Sequence, residues 1–303
     1  MRILVTGASG MIGTAVCDAL LGRGDEVIGL TRDPERARPT NPTVGWHAWQ
    51  PESERPPAAA FEGVDGVLNL IGENINQRLT PAAKERIRDS RVRATKNLVD
   101  GMLAAPTAPK ALVSQCAVGY YGDRGEAIVD ESTPPASDWT GQLCADWEAA
   151  ALEAATKDIR VAVMRSAPVL DPEGGLLKQL LLPFKLGLGG PLAGGRQYMP
   201  LIHRDDEVAL LCWALDDERV DGALNASAPN PVTNREFTKA LGRVLRRPTV
   251  APVPRAALVA MRGEELADQI LGSLRVMPRR ALDLGFAFRF PEVEPALRDL
   301  LRS

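Results

Sequence analysis

Residues 6–13 carry three glycines whose spacing suits the binding of a dinucleotide. Gly7 can form a tight turn, Gly10 leaves room for a pyrophosphate at the backbone, and Gly13 allows a helix to pack closely on the preceding strand. At the start of that helix, unpaired N–H groups and the helix dipole favour an anion. We therefore expect a phosphate-binding turn that is made by Thr6, Gly7, Ser9, Gly10, Met11, Ile12 and Gly13.

The end of the second predicted strand indicates which dinucleotide would bind. A dinucleotide fold places a carboxylate there for the ribose 2′-hydroxyl of NAD, or a cation for the 2′-phosphate of NADP. The sequence has Thr31 and Arg32 at this point, and Asp33 follows one residue later. Arg32 can bind a phosphate through two N–H groups, with the Ser9 hydroxyl nearby, so NADP is the expected cofactor. The alternative is a solvated arginine at a strand end.

Other strand ends are expected to complete the cofactor site. Ligands of a doubly wound sheet collect beyond the carboxyl ends of its strands. Later apolar runs end near residues 71, 114 and 166. The residues that we expect to contact the cofactor at these ends are Leu70, Ile71, Gly72, Ser114, Ala167 and Pro168.

Strands and helices alternate over the first two thirds of the chain. Apolar runs predict strands at residues 2–5, 27–31, 44–49, 66–71, 111–114, 161–165 and 223–226. Apolar residues at helical spacing predict helices at residues 12–21, 81–103 and 208–215, and a further helix that begins at about residue 140. This alternation predicts an α/β protein with a Rossmann-type doubly wound parallel sheet. Later glycines, prolines and short helices predict a smaller, mostly helical C-terminal lobe. We expect an NADP-binding domain at residues 1–170 and about 204–228, and the lobe at residues 171–203 and 229–303.

The composition narrows the classes of partner. The chain has 303 residues, of which 45% are apolar and 25% charged, and its net charge is −3. It therefore gives no electrostatic reason to expect nucleic acid or an anionic membrane as a partner. Four widely spaced cysteines without a C-x-x-C motif indicate reduced thiols rather than disulfides or a metal site. The sequence shows neither a leader nor a membrane-spanning run, so we expect a cytoplasmic protein with a small-molecule substrate.

Several of these segments together resemble the extended short-chain dehydrogenases/reductases of the epimerase/dehydratase type. They are residues 6–13, the strand end at Gly72, the loop Tyr120-Tyr121-Gly122, and residues 165–168 and 202–206. A narrower resemblance, to the YfcH-like "epimerase family protein" group, rests on Asn69-Leu70-Ile71-Gly72-Glu73, Ser90-Arg91, residues 117–122, Trp147-Glu148 and residues 285–288. The resemblance spans the whole chain. It implies a Rossmann domain that binds NADP and a small lobe that forms a pocket over the nicotinamide.

The resemblance also implies a catalytic serine, tyrosine and lysine, and this sequence lacks that set. In the family the serine polarises the substrate oxygen, the tyrosine transfers a proton, and a lysine four residues later lowers the pKa of the tyrosine. Aligned through Trp147-Glu148, the tyrosine position holds Thr140, the lysine position holds Cys144, and the serine position falls near Cys116. Thr140 and Cys144 are both wrong for this chemistry.

Three hypotheses therefore remain open. In the first, Tyr120 or Tyr121 acts as the acid, with Cys116 at the serine position and His203 as a partner; a structural hydrogen bond to a following aspartate is the alternative for His203. In the second, hydride moves to or from NADP while solvent or the substrate supplies the proton. In the third, the protein binds NADP(H) without turnover, as a sensor or regulatory protein.

We favour an NADP-dependent oxidoreductase or epimerase-like enzyme that acts on a carbonyl or hydroxyl substrate. A nucleotide-linked sugar is one candidate substrate by analogy with the superfamily. Arg91, Arg196 and His203 are available to face the pocket, which suits an anionic substrate. The alternative is a catalytically silent NADP(H)-binding protein, and a homodimer is also considered.

Overall fold

A seven-stranded parallel sheet forms the centre of the molecule. The computed structural model describes residues 1–302 of the chain. In chain order the strands are β1 (Arg2–Thr6), β2 (Glu26–Thr31), β3 (Gly45–Ala48), β4 (Gly66–Asn69), β5 (Ala111–Ala117), β6 (Arg160–Ser166) and β7 (Gly222–Ala226). Across the sheet their order is β7-β6-β5-β4-β1-β2-β3. The strand order therefore reverses between β1 and β4, where a doubly wound sheet opens a crevice for ligands.

Helices cover both faces of this sheet, and further helices form the C-terminal part of the chain. They are α1 (Met11–Gly22), α2 (Pro34–Ala37), α3 (Pro81–Arg88), α4 (Ala94–Ala104), α5 (Trp139–Leu152), α6 (Gly175–Lys185), α7 (Arg204–Asp216), α8 (Asn234–Leu245), α9 (Arg255–Arg262), α10 (Glu264–Leu271), α11 (Arg279–Asp283) and α12 (Val293–Leu300). α1 and α7 pack on the face that carries Ile3 and Val5, whereas α4 and α5 pack on the face that carries Leu4 and Leu112. Both faces of the central strands are buried, which explains their continuous apolar runs. The predicted Rossmann-type α/β class is confirmed.

Residues 81–103, predicted as one helix, contain a π-helical turn. α3 is followed by the π-helical residues Asp89–Arg93, and α4 continues from them. Oγ of Ser90 donates to the carbonyl oxygen of Ile87 (3.0 Å) and accepts from the backbone N–H of Glu73 (2.9 Å). These bonds tie the turn to the segment that follows β4. A π-helical turn holds an extra residue relative to an α-helix, and such turns are frequent at functional sites.

The C-terminal part of the chain has its own apolar cluster. α6, α8 and α12 pack around the buried side chains of Leu177, Phe237 and Leu297. In contrast, α7 and β7 pack with the sheet. We therefore propose the division that the sequence predicted, with residues 1–170 and about 204–228 in one domain and the other segments in the lobe. Ser303, the last residue of the predicted lobe, lies outside the described residues. No helix within residues 1–302 is both long and apolar enough to span a membrane.

Candidate functional site

The glycine turn lies at the carboxyl end of β1, and two of its glycines are required by its shape. Gly7 has a φ of +65°, and a methyl group on it would lie 2.8 Å from the carbonyl oxygen of Leu70. A methyl group on Gly13 would lie 2.1 Å from the carbonyl oxygen of Gly7. α1 can therefore approach the turn only because residue 13 has no side chain.

Gly10 leaves the solvent side of the turn open. It is exposed and is the N-cap of α1, but it has no side chain to bond the first N–H groups of the helix. The first backbone bond of α1 runs from the N–H of Thr14 to the carbonyl oxygen of Gly10 (2.8 Å), so the N–H groups of residues 11–13 have no partner within the helix. Ser9, beside Gly10, is also exposed. Free N–H groups at the positive end of a helix dipole form a site for a phosphate.

The end of β2 carries an arginine that is available to a ligand. Arg32 is exposed, and within residues 1–302 no carboxylate lies within 4.0 Å of its guanidinium. Asp33, the next residue, accepts a hydrogen bond from the backbone N–H of Arg36 (3.1 Å) and thereby caps α2. The carboxylate at this strand end is engaged in a helix cap, whereas the cation is free.

The lobe begins directly against the glycine turn. A methyl group on Gly174, the N-cap of α6, would lie 2.2 Å from Sδ of Met11. Glycine at position 174 therefore lets the start of α6 approach the first turn of α1. Ile12, the next residue along α1, packs partly buried on the apolar cluster of the sheet. The contact between Gly174 and Met11 places the beginning of the lobe beside the glycine turn, where the phosphates are expected.

Thr6 and Ser114, which are both expected at the cofactor site, have side chains in a buried polar network. Oγ1 of Thr6 donates to Oδ1 of Asn69 (2.8 Å). Nδ2 of Asn69 donates to Oγ of Ser114 (3.0 Å) and to Oγ1 of Thr95 (2.9 Å). The register of the sheet aligns Thr6, Asn69 and Ser114 across β1, β4 and β5. Because both hydroxyl groups are buried and paired, they hold the strand ends together.

Four further expected residues follow the ends of β4 and β6. Leu70 and Ile71 are partly buried, and the backbone N–H of Leu70 donates to Oγ1 of Thr6 (3.0 Å). Ala167 is buried, and its N–H donates to a carbonyl oxygen of β7 (2.9 Å). Pro168 is exposed. Leu70, Ile71 and Pro168 therefore have surface at the strand ends, whereas Ala167 is enclosed.

Gly72 and Arg91 meet beyond the end of β4. A methyl group on the exposed Gly72 would lie 3.1 Å from Cζ of Arg91, which stands on the π-helical turn. The guanidinium lies over the ring of Trp147, with Cζ 5.1 Å from the ring centroid, and Nη1 donates to the carbonyl oxygen of Ile87 (3.3 Å). Within residues 1–302 no carboxylate lies within 4.0 Å of this guanidinium. A cation without a counter-ion therefore lies at the edge of the crevice.

The positions aligned with the family's serine, tyrosine and lysine are buried. Sγ of Cys116 lies 3.6 Å from the carbonyl oxygen of Cys144, to which it is a weak donor. Burial raises the pKa of Cys116 well above its ordinary value, so its thiol stays protonated and is a poor nucleophile. Oγ1 of Thr140 accepts a hydrogen bond from Nε2 of Gln269 on α10 (2.5 Å). This contact joins the sheet domain to the lobe at the position where the family has its tyrosine.

Tyr121 is enclosed by hydrogen bonds, which corrects the expectation that it donates a proton to a substrate. Its hydroxyl donates to Oδ1 of Asn225 (2.7 Å) and accepts from Nη1 of Arg165 (2.9 Å). Arg165 also forms two hydrogen bonds to the carboxylate of Glu148 (2.7 and 2.8 Å). Burial raises the pKa of Tyr121 to about 12. The ring is fully buried, so its role is structural.

Tyr120 is half-buried, whereas the other three predicted catalytic side chains are buried. Its ring centroid lies 3.6 Å from Cζ of Arg165 and 5.3 Å from the ring centroid of Tyr121. Partial burial raises the pKa of Tyr120, so the phenol is protonated at neutral pH. A protonated phenol can donate a proton but cannot act as a base.

His203 has the structural role that was considered as its alternative, although its partner is a backbone group. Nδ1 accepts a hydrogen bond from the backbone N–H of Asp205 (3.0 Å), so His203 caps α7. The imidazole stacks on Phe290 with a centroid distance of 3.8 Å. Nε2 is buried without a hydrogen-bond partner, 3.5 Å from Oδ2 of Asp299. Burial lowers the pKa of His203, so the buried ring is neutral at pH 7.

Sequence reasoning missed a buried carboxyl group at the ends of β5 and β6. Oε1 of Glu207 accepts from Oγ of Ser166 (2.6 Å) and from Nε2 of Gln115 (3.2 Å), while Oε2 is buried without a partner. Burial raises the pKa of Glu207 to about 7. Helical spacing could have revealed it, because Leu210 and Leu211 lie three and four residues later on the same buried face of α7.

Comparison with known families covers most of the chain. Residues 3–226 match the NAD dependent epimerase/dehydratase family. Residues 253–300 match a domain of unknown function, DUF1731. The first match contains the glycine turn and the whole sheet except Arg2, the first residue of β1, and the second contains α9 to α12 of the lobe.

Named relatives align along the full length of the chain. It is 38% identical over 304 residues to the chloroplastic homolog of epimerase family protein SDR39U1 from Arabidopsis thaliana, which covers 100% of this chain and 87% of that protein. It is 36% identical over 305 residues to epimerase family protein SDR39U1 from Homo sapiens, which covers 99% of this chain and 100% of that protein. A crystal structure of the human protein with NADPH superposes with a TM-score of 0.88 and covers 99% of each chain.

Proposed function

The chain belongs to the NAD dependent epimerase/dehydratase family, and from this premise we propose that it is an NADP(H)-dependent oxidoreductase or epimerase-like enzyme. Its substrate in this proposal carries a carbonyl or hydroxyl group. The observation that carries the proposal is the open glycine turn at the β1–β4 reversal, where Gly10 is exposed beside unpaired N–H groups of α1. The NADPH that accompanies the human relative in its crystal structure supports the same choice of cofactor.

The residues of the crevice fit NADP part by part. The N–H groups of residues 11–13 would bind the pyrophosphate. Gly10 leaves space for it, since a methyl group at this position would have only the carbonyl oxygen of Gly7 within 4 Å, at 3.2 Å. Arg32, with Ser9 beside the turn, would hold the 2′-phosphate. The carboxylate of Asp33 caps α2 and is not available to a ribose 2′-hydroxyl. When bound, the nicotinamide supplies or accepts a hydride.

Tyr120 is the side chain that we assign to proton transfer. It is half-buried and protonated at neutral pH, and it follows the end of β5, next to the strand end that carries Gly72. In the proposed reaction this phenol donates its proton to the oxygen of a carbonyl group while that carbon receives hydride, which is the reduction of a carbonyl. The guanidinium of Arg165, which lies against the ring, stabilises the phenolate that remains.

A second candidate function is that of a catalytically silent NADP(H)-binding sensor or regulatory protein. It is favoured by the partly buried hydrogen bond between Thr140 and Gln269 and by the protonated, buried thiol of Cys116. These are the positions where the family has its tyrosine and serine. A cytoplasmic location, a homodimer, an anionic substrate and the absence of nucleic-acid or membrane partners stay predictions from the sequence.

Turnover by the NADPH-loaded protein distinguishes the two functions. A panel of aldehydes, ketones and nucleoside-diphosphate sugars would be screened by nicotinamide absorbance, and by NMR of the sugar, because epimerisation leaves no net change in the cofactor.

With a substrate in hand, we expect Tyr120→Phe to lower kcat by about 100-fold or more without weakening NADPH binding. The matched control is Tyr121→Phe, which should retain turnover and lower the free energy of unfolding by about 1–3 kcal/mol. Tight NADPH binding without turnover would favour the catalytically silent protein. If the protein bound neither NADPH nor NADH, both functions would be contradicted.

A further inference from the structure

Arg91 differs from the arginines around it on the same helical segment. Arg86 lies 3.3 Å from the carboxylate of Glu73, Arg88 lies 2.6 Å from that of Asp146, and Arg93 lies 3.4 Å from that of Asp89. The guanidinium of Arg91 has no such partner within 4.0 Å among residues 1–302. The segment therefore pairs its exposed cations and leaves the more buried cation unpaired.

An unpaired cation in this environment carries a cost in free energy. The guanidinium is withdrawn from most of the solvent by Trp147 and by the backbone near Gly72, and its one hydrogen bond to protein is to the carbonyl oxygen of Ile87. Burial lowers the pKa of Arg91 below its ordinary value, which shows that the charged form is disfavoured there. A charge of this kind is usually paired or hydrogen-bonded. The described part of the chain supplies a flat aromatic surface for the cation but no carboxylate within 4.0 Å of it.

The position of Arg91 in the crevice indicates which part of a ligand it would meet. β2, whose end carries Arg32, lies on one side of β1, and β4, whose end leads to Gly72, lies on the other. A dinucleotide that has its pyrophosphate on the turn after β1 and its adenosine phosphate at Arg32 extends its nicotinamide half towards β4 and β5. Arg91 therefore lies on the side of the crevice where Tyr120 follows β5.

We infer that Arg91 binds an anionic oxygen of the substrate, in a carboxylate or a phosphate group, beside Gly72. The inference rests on the proposed function, because it places the cofactor on the glycine turn and the substrate on the far side. The absence of a side chain at Gly72 leaves the guanidinium accessible from the crevice. The planar fork of arginine suits two parallel hydrogen bonds to such a group, and the ring of Trp147 fixes its plane.

The test measures anion binding by protein that is already saturated with NADP, so that the phosphate site on the glycine turn is occupied. Sodium phosphate and sodium acetate, each at constant ionic strength, would be titrated while the midpoint of thermal unfolding is followed. We expect saturable stabilisation of the wild type by one of the two anions, and the effective anion identifies a phosphate or a carboxylate. Arg91→Met, which keeps an apolar contact with Trp147, should weaken that binding at least about tenfold, whereas Arg91→Lys should retain part of it.

The matched control is Arg93→Met, two residues further along the same turn, which should bind the anion as the wild type does. Equal anion affinity in Arg91→Met and the wild type, or no saturable effect of either anion, would overturn the inference. A loss of NADPH affinity of about tenfold in Arg91→Met would also overturn it, because Arg91 would then bind the cofactor. If the wild type binds no NADPH, the proposed function fails, and the difference in phosphate binding between unliganded wild type and Arg91→Met still decides the role of Arg91.

Discussion

Gly72 lies directly against the guanidinium of Arg91, so that a methyl group on the glycine would lie 3.1 Å from Cζ and 3.2 Å from Nη2. This close approach of Gly72 to Arg91 depends on two separate features. The π-helical turn Asp89–Arg93 presents the arginine, and the chain beyond β4 leaves no side chain over it. The relationship connects a strand end that should meet the cofactor with a cation that has no carboxylate within 4.0 Å among residues 1–302.

Gly72→Ala should weaken binding at this cation without harming the fold. The new methyl group would require the guanidinium to move by a few tenths of an ångström, and the end of an arginine side chain can do so. We expect the affinity for the anion identified with the wild type to fall by about threefold to tenfold while the midpoint of thermal unfolding stays close to that of the wild type. Gly22→Ala, at a glycine with open space around it, is the control. Unchanged anion affinity in Gly72→Ala would show that the space at residue 72 has no function.

Gly10→Val should abolish NADPH binding. The isopropyl group would fill the open face of the turn, where the phosphates must approach the N–H groups of α1. Fluorescence titration with NADPH measures the effect, and circular dichroism verifies that the variant is folded. Gly22→Val places the same side chain at the other end of α1, in open space, and should bind NADPH as the wild type does. A folded Gly10→Val variant with wild-type affinity would contradict the assignment of the phosphate site.

We expect a large loss of stability when one partner of the buried Glu148–Arg165 ion pair is neutralised. Both side chains are buried, and the guanidinium also bonds the hydroxyl of Tyr121. Glu148→Gln leaves the charge of Arg165 without a counter-ion, so we expect the free energy of unfolding to fall by about 3–5 kcal/mol. Urea denaturation measures this change. Glu153→Gln, which removes an exposed partner of Lys96 in the residues just after α5, should cost less than about 1 kcal/mol. Equal losses in the two variants would contradict this account of the pair.

The contribution of Glu207 to stability should fall as the pH rises from about 4.5 to about 7. Burial raises its pKa from 4.5 to about 7, so between these values the folded protein holds a proton that the unfolded chain has released. The contribution of Glu207 to the free energy of unfolding therefore decreases as the pH rises through this window. Glu207→Gln keeps an acceptor for the hydroxyl of Ser166 and stays neutral, so it should exceed the wild type by about 3 kcal/mol above pH ~7 and match it below pH ~4.5. Urea denaturation across this range is the measurement, and a difference that does not change with pH would contradict the prediction.

The sequence was sufficient to predict the secondary-structure elements that hold the site. The glycine turn, the order of strands and helices, and the return of residues 223–226 to the sheet follow from local patterns. Apolar period, turn residues and helix spacing act over a few neighbouring positions, and the sheet order follows from the handedness of strand–helix–strand units. Arg32 could also be placed from the sequence, because it directly follows the end of β2.

The roles of individual polar side chains could not be read in this way, because they depend on contacts between distant residues. The hydroxyl of Tyr121 is satisfied by Asn225, more than a hundred positions away on β7. The π-helical turn that presents Arg91 has no signature in residue type. His203 stacks on Phe290, and the residues around His203 in the sequence give no sign of this contact. In each case the decisive partner lies in another element of the fold.

In the proposed function this crevice binds NADP(H), and Arg32 selects it over NAD(H). The most direct measurement is a parallel fluorescence titration of the wild type and Arg32→Ala with NADPH and NADH. Arg55→Ala, an equal change of charge at an exposed arginine 3.7 Å from Asp100, is the control. We predict that the wild type binds NADPH more tightly than NADH, and that Arg32→Ala loses about tenfold or more of its NADPH affinity, about 1.4 kcal/mol, with little change for NADH. Equal losses for both nucleotides, or no binding of either by the wild type, would contradict the account.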